Sequence, residues 1–576
     1  MMKRFLLTIA VLLTTLQWLP AQDSLYVQYA DRFKENRFLF STVGIDSIEL
    51  FSRYTIPLLR RYSTQYANGY SDYRVSNLVN SDGTSNGTLC FGDPGLILWK
   101  PTSSSLSYNN DYTVDTNRWT FKHSKESTHF VVFWDRMFGD DPNGSSVPSS
   151  YRVDIDNLLK KAEQFYTTNI TRLGMVVVGQ EETHKSRLNH YKMSIYLLYP
   201  GTHDGSTIDS WVATGSGNDN TIGTLWITPA TCQPAGSTIA HEIGHSFQYQ
   251  TYCDNIINGK SNDMHSGFRY GYPGSNGGCG FWEQCAQWQS FQDYPTEAIT
   301  SYNFPVWVNN HHRHFEHEWQ RYASYWEQYY WTSRHGITAL GRIWNESAYP
   351  EDANQAYMRI FLNNNYDTLR AELAEYAQMS VTMDFDAIRT YSTYTTWNRI
   401  SPAYDAFTVT LYDTLDGWKQ IGYEQCPQPT GFNIIPLKVP AAGTEVTLSL
   451  RGVDAGSALP SGDAGKQVDG DGNAVATVSN YNVTDVSGHE GWAIGFVSLS
   501  GSTRHYSPMT LISNTEGAAA STLSGSSAYT VPEGTTRLWA VVQGSPTVYR
   551  QCPWDDKEST DDQLPYQLKI EGTTLK

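Results

Sequence analysis

The chain of 576 residues has few cysteines, a modest share of charged residues and little basic character. Seven cysteines are spread along it, and charged residues make up 17% of the sequence. The formal net charge is −17, so the chain lacks the basic surface that phosphate backbones and anionic lipids attract. This composition argues against nucleic acid as a partner.

Long apolar runs are also missing, apart from one at the N-terminus. Residues 5–19 are mostly apolar, follow Lys3 and Arg4, and precede a small residue, Ala21. This run is shorter than the ~18–20 apolar residues that a membrane span needs. It predicts a secretory signal peptide over residues 1–21. We expect a secreted, periplasmic or cell-surface protein with no membrane span.

The odd number and low density of the cysteines do not indicate a disulfide scaffold. Cys253 and Cys279 bracket a loop rich in Gly, Asn and Ser. A bridge between them would restrict the unfolded chain by about 3 kcal/mol in the loop-entropy model. Cys426 and Cys552 lie near the two ends of the last domain and could be joined in the same way. The sequence leaves both pairings open.

Patterns of apolar residues divide the remaining chain into three parts and predict an α+β fold. Residues 22–125 form an N-terminal mixed α/β extension with many turn residues. Residues 126–400 combine a buried strand at 129–134, an amphipathic helix over 151–173 and several later helices. Residues 401–576 alternate β-rich runs with Gly, Ser and Asp turns, which is typical of an antiparallel β-sandwich.

The stretch Ser237-Thr-Ile-Ala-His241-Glu242-Ile-Gly-His245-Ser-Phe-Gln248 carries the chemistry. On a helix, positions i and i+4 share a face, so both imidazoles can reach one metal ion. Zinc accepts neutral nitrogen ligands at about 2.0–2.1 Å in a tetrahedral shell. Glu242 can then take a proton from water and pass it to a leaving amine. The alternative is two helical histidines that make ordinary hydrogen bonds.

A third ligand must come from elsewhere, because Gln248 and Thr251 stand where the pattern HExxHxxGxxH requires Gly and His. Glu283 is the first candidate. It lies on a predicted helix near two tryptophans, a buried setting in which a carboxylate needs a partner. Ala286, one turn later, would let this helix approach the first one closely.

Other ligands are open as alternatives to Glu283. His265, Cys253 and Cys279 lie in the segment between the motif and Glu283, and a site that uses cysteine is more often structural than catalytic.

The sequence Asp469-Gly-Asp-Gly-Asn lacks the Gly and Glu that an EF-hand loop requires, so we predict a hairpin turn there.

A tetrahedral intermediate would also need a hydrogen-bond donor for its oxyanion. The predicted helix over 322–330 offers Tyr325 as the first choice and Tyr322 as the alternative. A nearby histidine cluster has ligand-like spacing only at His314-x-x-His317. A second metal at that pair is a further alternative.

Together, the HExGHxxQ stretch and Trp282-Glu283-x-x-Ala286 resemble the secreted gluzincin-like zinc metallopeptidases of the enhancin and mucin-degrading type. The resemblance covers about residues 125–380. It implies a zincin-like catalytic unit over 126–400, Zn²⁺ bound by His241, His245 and Glu283, Glu242 as the catalytic base, and protein or glycoprotein substrates. The 37 residues between His245 and Glu283 form a longer gap than those peptidases usually have.

Two other functions compete with peptide hydrolysis. One is a non-catalytic secreted protein that binds metal and carbohydrate, with the sandwich over 401–576 contacting a glycan. Glu242 argues against it, because a structural zinc site needs no base. The other is a glycan-degrading enzyme in which HExxH is coincidental, and it would require two carboxylates across a cleft.

Overall fold

The computed structural model describes residues 25–28, 88–91, 96–98, 116–180, 182–203, 205–260, 278–348, 350–393, 407–462, 469, 485–552 and 560–576. The predicted signal peptide, most of the predicted extension, His265 and most of the loop after Asp469 lie outside these residues. The chain divides into two compact units, residues 1–263 and 264–576. Helices and several sheets occur together, which confirms an α+β fold.

The described part of the first unit contains a mixed sheet and two α-helices. Its elements are β1 (Leu25–Gln28), β2 (Thr88–Phe91), β3 (Ile97–Leu98), β4 (Ser124–Glu126), β5 (Phe130–Trp134), α1 (Ile155–Thr167), β6 (Tyr191–Leu197), β7 (Gly201–His203), β8 (Ser206–Ile208), β9 (Ala213–Asn218), β10 (Ile222–Ile227) and α2 (Ser237–Ile257). β1 pairs with β2, and β7 pairs with β8.

The main sheet has the strand order β4-β5-β6-β10-β9, with β3 also paired to β6. β5, β6 and β10 are parallel, whereas β9 runs antiparallel to β10. The three parallel strands are buried at every position, as expected for strands with both faces covered. α1 contacts β5, and α2 contacts β9 and β10. An antiparallel edge strand therefore lies beside the helix that carries the motif.

The predicted amphipathic helix over 151–173 corresponds to α1 and the π-helical turn Thr168–Arg172. The Asp154 carboxylate accepts a hydrogen bond from the backbone amide of Asn157 and caps the helix N-terminus. The predicted apolar face, which includes Leu158 and Phe165, is buried.

The second unit begins with eight helices in the described part of the chain. They are α3 (Gly278–Phe291), α4 (Glu297–Thr300), α5 (Asn303–Asn310), α6 (Trp326–His335), α7 (Ala339–Glu346), α8 (Ala353–Phe361), α9 (Tyr366–Ser380) and α10 (Asp386–Thr393). Their core is strongly aromatic. Among its fully buried side chains are Trp288, Trp307, Trp326, Trp331 and Trp344.

In the described residues, ten strands of three to ten residues follow these helices in the second unit. They are β11 (Leu411–Asp413), β12 (Lys419–Ile421), β13 (Phe432–Leu437), β14 (Glu445–Gly452), β15 (Gly491–Ser500), β16 (Thr503–Tyr506), β17 (Thr510–Ser513), β18 (Ser524–Thr530), β19 (Thr535–Gly544) and β20 (Tyr566–Glu571). They form two sheets, β11-β12-β20-β14-β18 and β13-β19-β15-β16, with β17 also paired to β15. Both sheets contribute side chains to one apolar core, which gives a sandwich-like arrangement.

Helix α9 packs on the second of these sheets through hydrogen bonds as well as apolar contacts. The Arg370 guanidinium donates to the carbonyl oxygen of Ser545 at 2.9 Å. The Gln378 amide donates to the carbonyl oxygen of Phe496 at 3.1 Å. The predicted domain boundary at residue 400 thus falls inside one compact unit, in which helices and sandwich share an interface.

Within the described residues, no helix is both long enough and apolar enough to span a bilayer. Cys253 and Cys426 are buried free thiols. Neither the Cys253–Cys279 bridge nor the Cys426–Cys552 bridge that the sequence allows is therefore present. Burial raises the pKa of both thiols well above the ordinary value.

Candidate metal centre

Helix α2 brings the two motif histidines onto one face. It begins at Ser237, with Gly236 as its N-cap residue, and runs on to Ile257. Most of its residues are buried, because it lies against the sheet.

The imidazoles of His241 and His245 converge. Their Nε2 atoms lie 3.0 Å apart, and the ring planes are nearly perpendicular, with centroids separated by 4.6 Å. Two nitrogen ligands of a tetrahedral zinc ion lie about 3.3 Å apart. Only 8% of His241 and 2% of His245 is exposed. The pair thus presents two nitrogen atoms at nearly the separation that a zinc ion requires.

The carboxylate of Glu283, on α3, lies close to the two imidazoles. Each of the three residues offers one ligand atom, and these atoms are all within 4.8 Å of one another. No other group of three His, Cys, Asp or Glu residues in the described part of the chain meets this criterion. A His–His–Glu donor set fits Zn²⁺ in charge and in ligand type. The alternative ligand His265 lies outside the described residues.

Glu242 accepts a hydrogen bond from the edge strand. The backbone N–H of Gly215, in β9, donates to Glu242 Oε2 at 2.7 Å. Its acceptor lies on α2, so this hydrogen bond joins the strand to the helix. Glu242 is 9% exposed, so the bond fixes a largely buried carboxylate beside β9, the last strand of the sheet among the described residues.

Three glycines let α2 approach the sheet this closely. A Cβ atom at Gly215 would lie 1.8 Å from the carbonyl oxygen of Glu242. At Gly217 it would meet the Tyr249 ring at 2.1 Å, and at Gly223 the carbonyl oxygen of Ser246 at 2.6 Å. These glycines were not predicted from the sequence. The alternation Gly215-Ser-Gly217 on one strand face is the signal that could have revealed them.

The two tyrosines that were considered as oxyanion donors have different surroundings. The Tyr325 hydroxyl is fully buried and donates to the carbonyl oxygen of Ala298 at 2.6 Å. Tyr322 forms a side-chain hydrogen bond with Glu283, and burial together with that carboxylate raises the pKa of Tyr322 above its ordinary value. The role predicted for Tyr325 stays a prediction, and Tyr322 is the hydroxyl that lies at the candidate ligand.

The histidine cluster of the second unit makes structural contacts. Burial lowers the pKa of His311 to about 4 and that of His314 to about 3, so both are neutral at pH 7. His314 Nδ1 accepts from the backbone amide of Glu316 at 3.1 Å. His317 Nε2 lies 2.9 Å from the Asp561 carboxylate. His314 and His317 thus each form a separate hydrogen bond with another protein group.

Comparison with known proteins gives one family. A family model described as "Family of unknown function (DUF6055)" matches residues 98–576. No match was found among curated proteins. A solved structure, the CBM22-1 and GH10 modules of the N-terminal endo-1,4-β-D-xylanase 10B from Clostridium thermocellum complexed with xylohexaose, aligns at 10% identity and a TM-score of 0.14. The alignment covers 28% of this chain and 24% of that one. It supports no inference about fold or function.

Proposed function

We propose that this chain, which belongs to the DUF6055 family, is a secreted zinc-dependent peptidase with a zincin-like catalytic unit of the gluzincin type. One observation carries the proposal. His241, His245 and Glu283 offer three ligand atoms within 4.8 Å of one another, and a glutamate, Glu242, directly follows the first histidine. A purely structural zinc site is usually closed by four protein ligands, whereas a catalytic one leaves a position open.

The residues around the ligands fit hydrolysis. Zinc, when bound, would polarise the scissile carbonyl and acidify a water molecule. Glu242 would accept the proton of the attacking water and return it to the leaving amine. The hydrogen bond from Gly215 occupies one carboxylate oxygen, Oε2. It thereby orients the other oxygen, Oε1, for proton transfer.

The edge strand β9 supports an extended peptide as substrate. It pairs with β10 on one side and is the last strand of its sheet among the described residues. Gly215 in this strand donates its N–H to Glu242, so the strand runs directly beside the proposed base. An extended chain that adds to such an edge gains main-chain hydrogen bonds and places alternate side chains toward the protein. We therefore propose protein or glycoprotein substrates, with glycan contact through the sandwich as a further element of the proposal.

The alternative is a secreted protein that binds metal and carbohydrate without turnover. A variant of Glu242 distinguishes the peptidase from the binding protein, because a binding protein does not need a base beside its metal. In the peptidase, the Glu242→Gln variant should keep zinc and lose hydrolysis by about 10²–10⁴-fold. The matched control is Glu346→Gln, which removes an exposed carboxylate paired with Arg342.

Zinc content and cleavage of a panel of glycoproteins and unglycosylated proteins are measured for wild type and both variants. The peptidase proposal requires cleavage by wild type and by Glu346→Gln, together with zinc but no cleavage in Glu242→Gln. Equal proteolysis by the Glu242 variant would disprove the mechanism. A wild type that binds zinc and glycan but cleaves nothing in the panel would favour the binding protein.

A further inference from the structure

Gln248 contacts the candidate ligand His245 from one turn further along α2. Its Oε1 lies 3.0 Å from His245 Nδ1. Both side chains are almost completely buried, at 0% and 2% exposure. Positions i and i+3 are neighbours on a helix surface, so the helix itself sets this contact.

The contact determines which nitrogen of His245 carries the proton. A carboxamide oxygen only accepts hydrogen bonds, so Nδ1 must carry the hydrogen. Nε2 is then left with its lone pair, and this is the atom that lies 3.0 Å from His241 Nε2. Partners of this kind fix the tautomer and ring orientation of histidine ligands in metal sites.

We infer that Gln248 is a positioning residue that holds His245 in its metal-binding tautomer and thereby sets zinc affinity. The inference rests on the proposed function, since it assigns a role toward the same metal. It goes beyond the ligand set, because Gln248 supplies no atom to the metal. A neutral acceptor here orients the ring without adding negative charge to the buried pair of histidines.

Two variants of Gln248 test this role. Gln248→Met keeps the length and bulk of the side chain and removes the acceptor. Gln248→Glu keeps an acceptor and adds a charge that makes the ring more basic. The control is Gln250→Met. Gln250 is equally buried on the same helix but accepts from the Gly223 amide at 2.9 Å, so it reports the structural cost of losing a buried amide.

Zinc dissociation constants are measured by competition with a chromophoric chelator, and thermal unfolding is measured in the metal-free state. We expect zinc binding by Gln248→Met to be about 10–100-fold weaker than by wild type. Gln248→Glu should match or exceed wild type. Gln250→Met should lower the melting temperature and leave zinc affinity within about threefold.

The ¹⁵N chemical shifts of His245 in the metal-free wild type give a second readout, which does not depend on how the variants fold. They should show a proton on Nδ1 and none on Nε2. If the wild type binds zinc but Gln248→Met binds it with unchanged affinity, the role of Gln248 is overturned and the proposed function is not. A proton on His245 Nε2 has the same consequence. Failure of the wild type to bind zinc overturns the proposed function and this role with it.

Discussion

The backbone N–H of Gly215 donates to the carboxylate of Glu242 at 2.7 Å and joins the edge strand β9 to the middle of the HExxH motif. The two residues are 27 positions apart in the sequence, and neither requires the other through any local pattern. Their contact places the proposed base beside the last strand of the sheet in the described part of the chain. It also places the strand in direct contact with the backbone of α2.

Gly215→Ala should damage both stability and activity. The new Cβ atom would overlap the Glu242 carbonyl oxygen, so strand and helix would have to separate. Crowding of this kind costs about 1–3 kcal/mol in a well-packed interior. The control is Gly236→Ala, where the new Cβ atom would have its nearest neighbour 3.9 Å away. Thermal unfolding and peptidase assays should show a clearly larger loss in Gly215→Ala than in Gly236→Ala, which loses only a favourable N-cap residue, and a neutral Gly215→Ala would refute the proposed role of this contact.

Phe variants of the two tyrosines should have different effects on zinc affinity and on stability. Tyr322→Phe removes the hydrogen bond to Glu283, so we expect zinc affinity and kcat/KM to fall by about 10-fold or more. Tyr325→Phe leaves the Ala298 carbonyl without its donor and should cost about 1–3 kcal/mol of stability with little change in zinc affinity. Chelator competition and denaturant unfolding measure the two effects. If zinc affinity fell in Tyr325→Phe and stayed unchanged in Tyr322→Phe, Tyr325 would instead be the functional hydroxyl.

Asp254, near the C-terminal end of α2, should make the stability of the first unit depend on pH. Burial raises the pKa of Asp254 to about 7, whereas an unfolded aspartate has a pKa of about 3.9. The folded state therefore holds this proton more tightly. The stabilisation is complete below about pH 4 and is lost as the pH rises through about 7, by up to about 4 kcal/mol.

Asp254→Asn removes this dependence and keeps an oxygen that can accept from the Gln250 amide and the Arg187 N–H. The variant should be more stable than wild type at pH 8, and the two should have similar stability at pH 4. Urea unfolding at a series of pH values measures the difference. Asp140→Asn, at an exposed carboxylate, serves as the control. Parallel pH profiles for wild type and Asp254→Asn would show that this carboxyl does not hold its proton.

Trp211 should contribute to substrate binding. It is 59% exposed and lies two residues before β9, at the end of the edge where an extended substrate would add. Trp211→Ala should raise KM about 3–10-fold and leave kcat unchanged, because a contact far from the reacting bond contributes uniform binding energy. Met137→Ala is the control, because this exposed apolar residue follows β5, three strands from β9 in the sheet. A fall in kcat instead would place Trp211 close to the reacting bond.

Local patterns predicted much of the fold. The spacing of Leu158 and Phe165 indicated α1, and three of the β-rich runs predicted within 401–576, at 446–450, 492–499 and 538–542, lie in β14, β15 and β19. The helical motif placed His241 and His245 on one face because the i, i+4 relation is local. These features depend on neighbours in the sequence, so the sequence is sufficient for them.

Contacts between distant segments were harder to predict. Glu283 was singled out from its tryptophan neighbours, but nothing local indicates that Gly215 donates to Glu242. The choice of Tyr325 over Tyr322 had no physical basis in the sequence, because the partners of the two hydroxyls, Ala298 and Glu283, lie 27 and 39 residues away along the chain. The shared interface of α9 and the sandwich likewise depends on packing across more than a hundred residues.

The central claim is that one zinc ion is bound jointly by His241, His245 and Glu283. The most direct test is a calorimetric titration of zinc into the metal-free protein, carried out with wild type, His245→Ala and Glu283→Ala. The account predicts one equivalent of tightly bound zinc in wild type and binding weakened by at least about 100-fold in each variant. A wild type that takes up no zinc, or variants that bind it as tightly as wild type, would contradict the account.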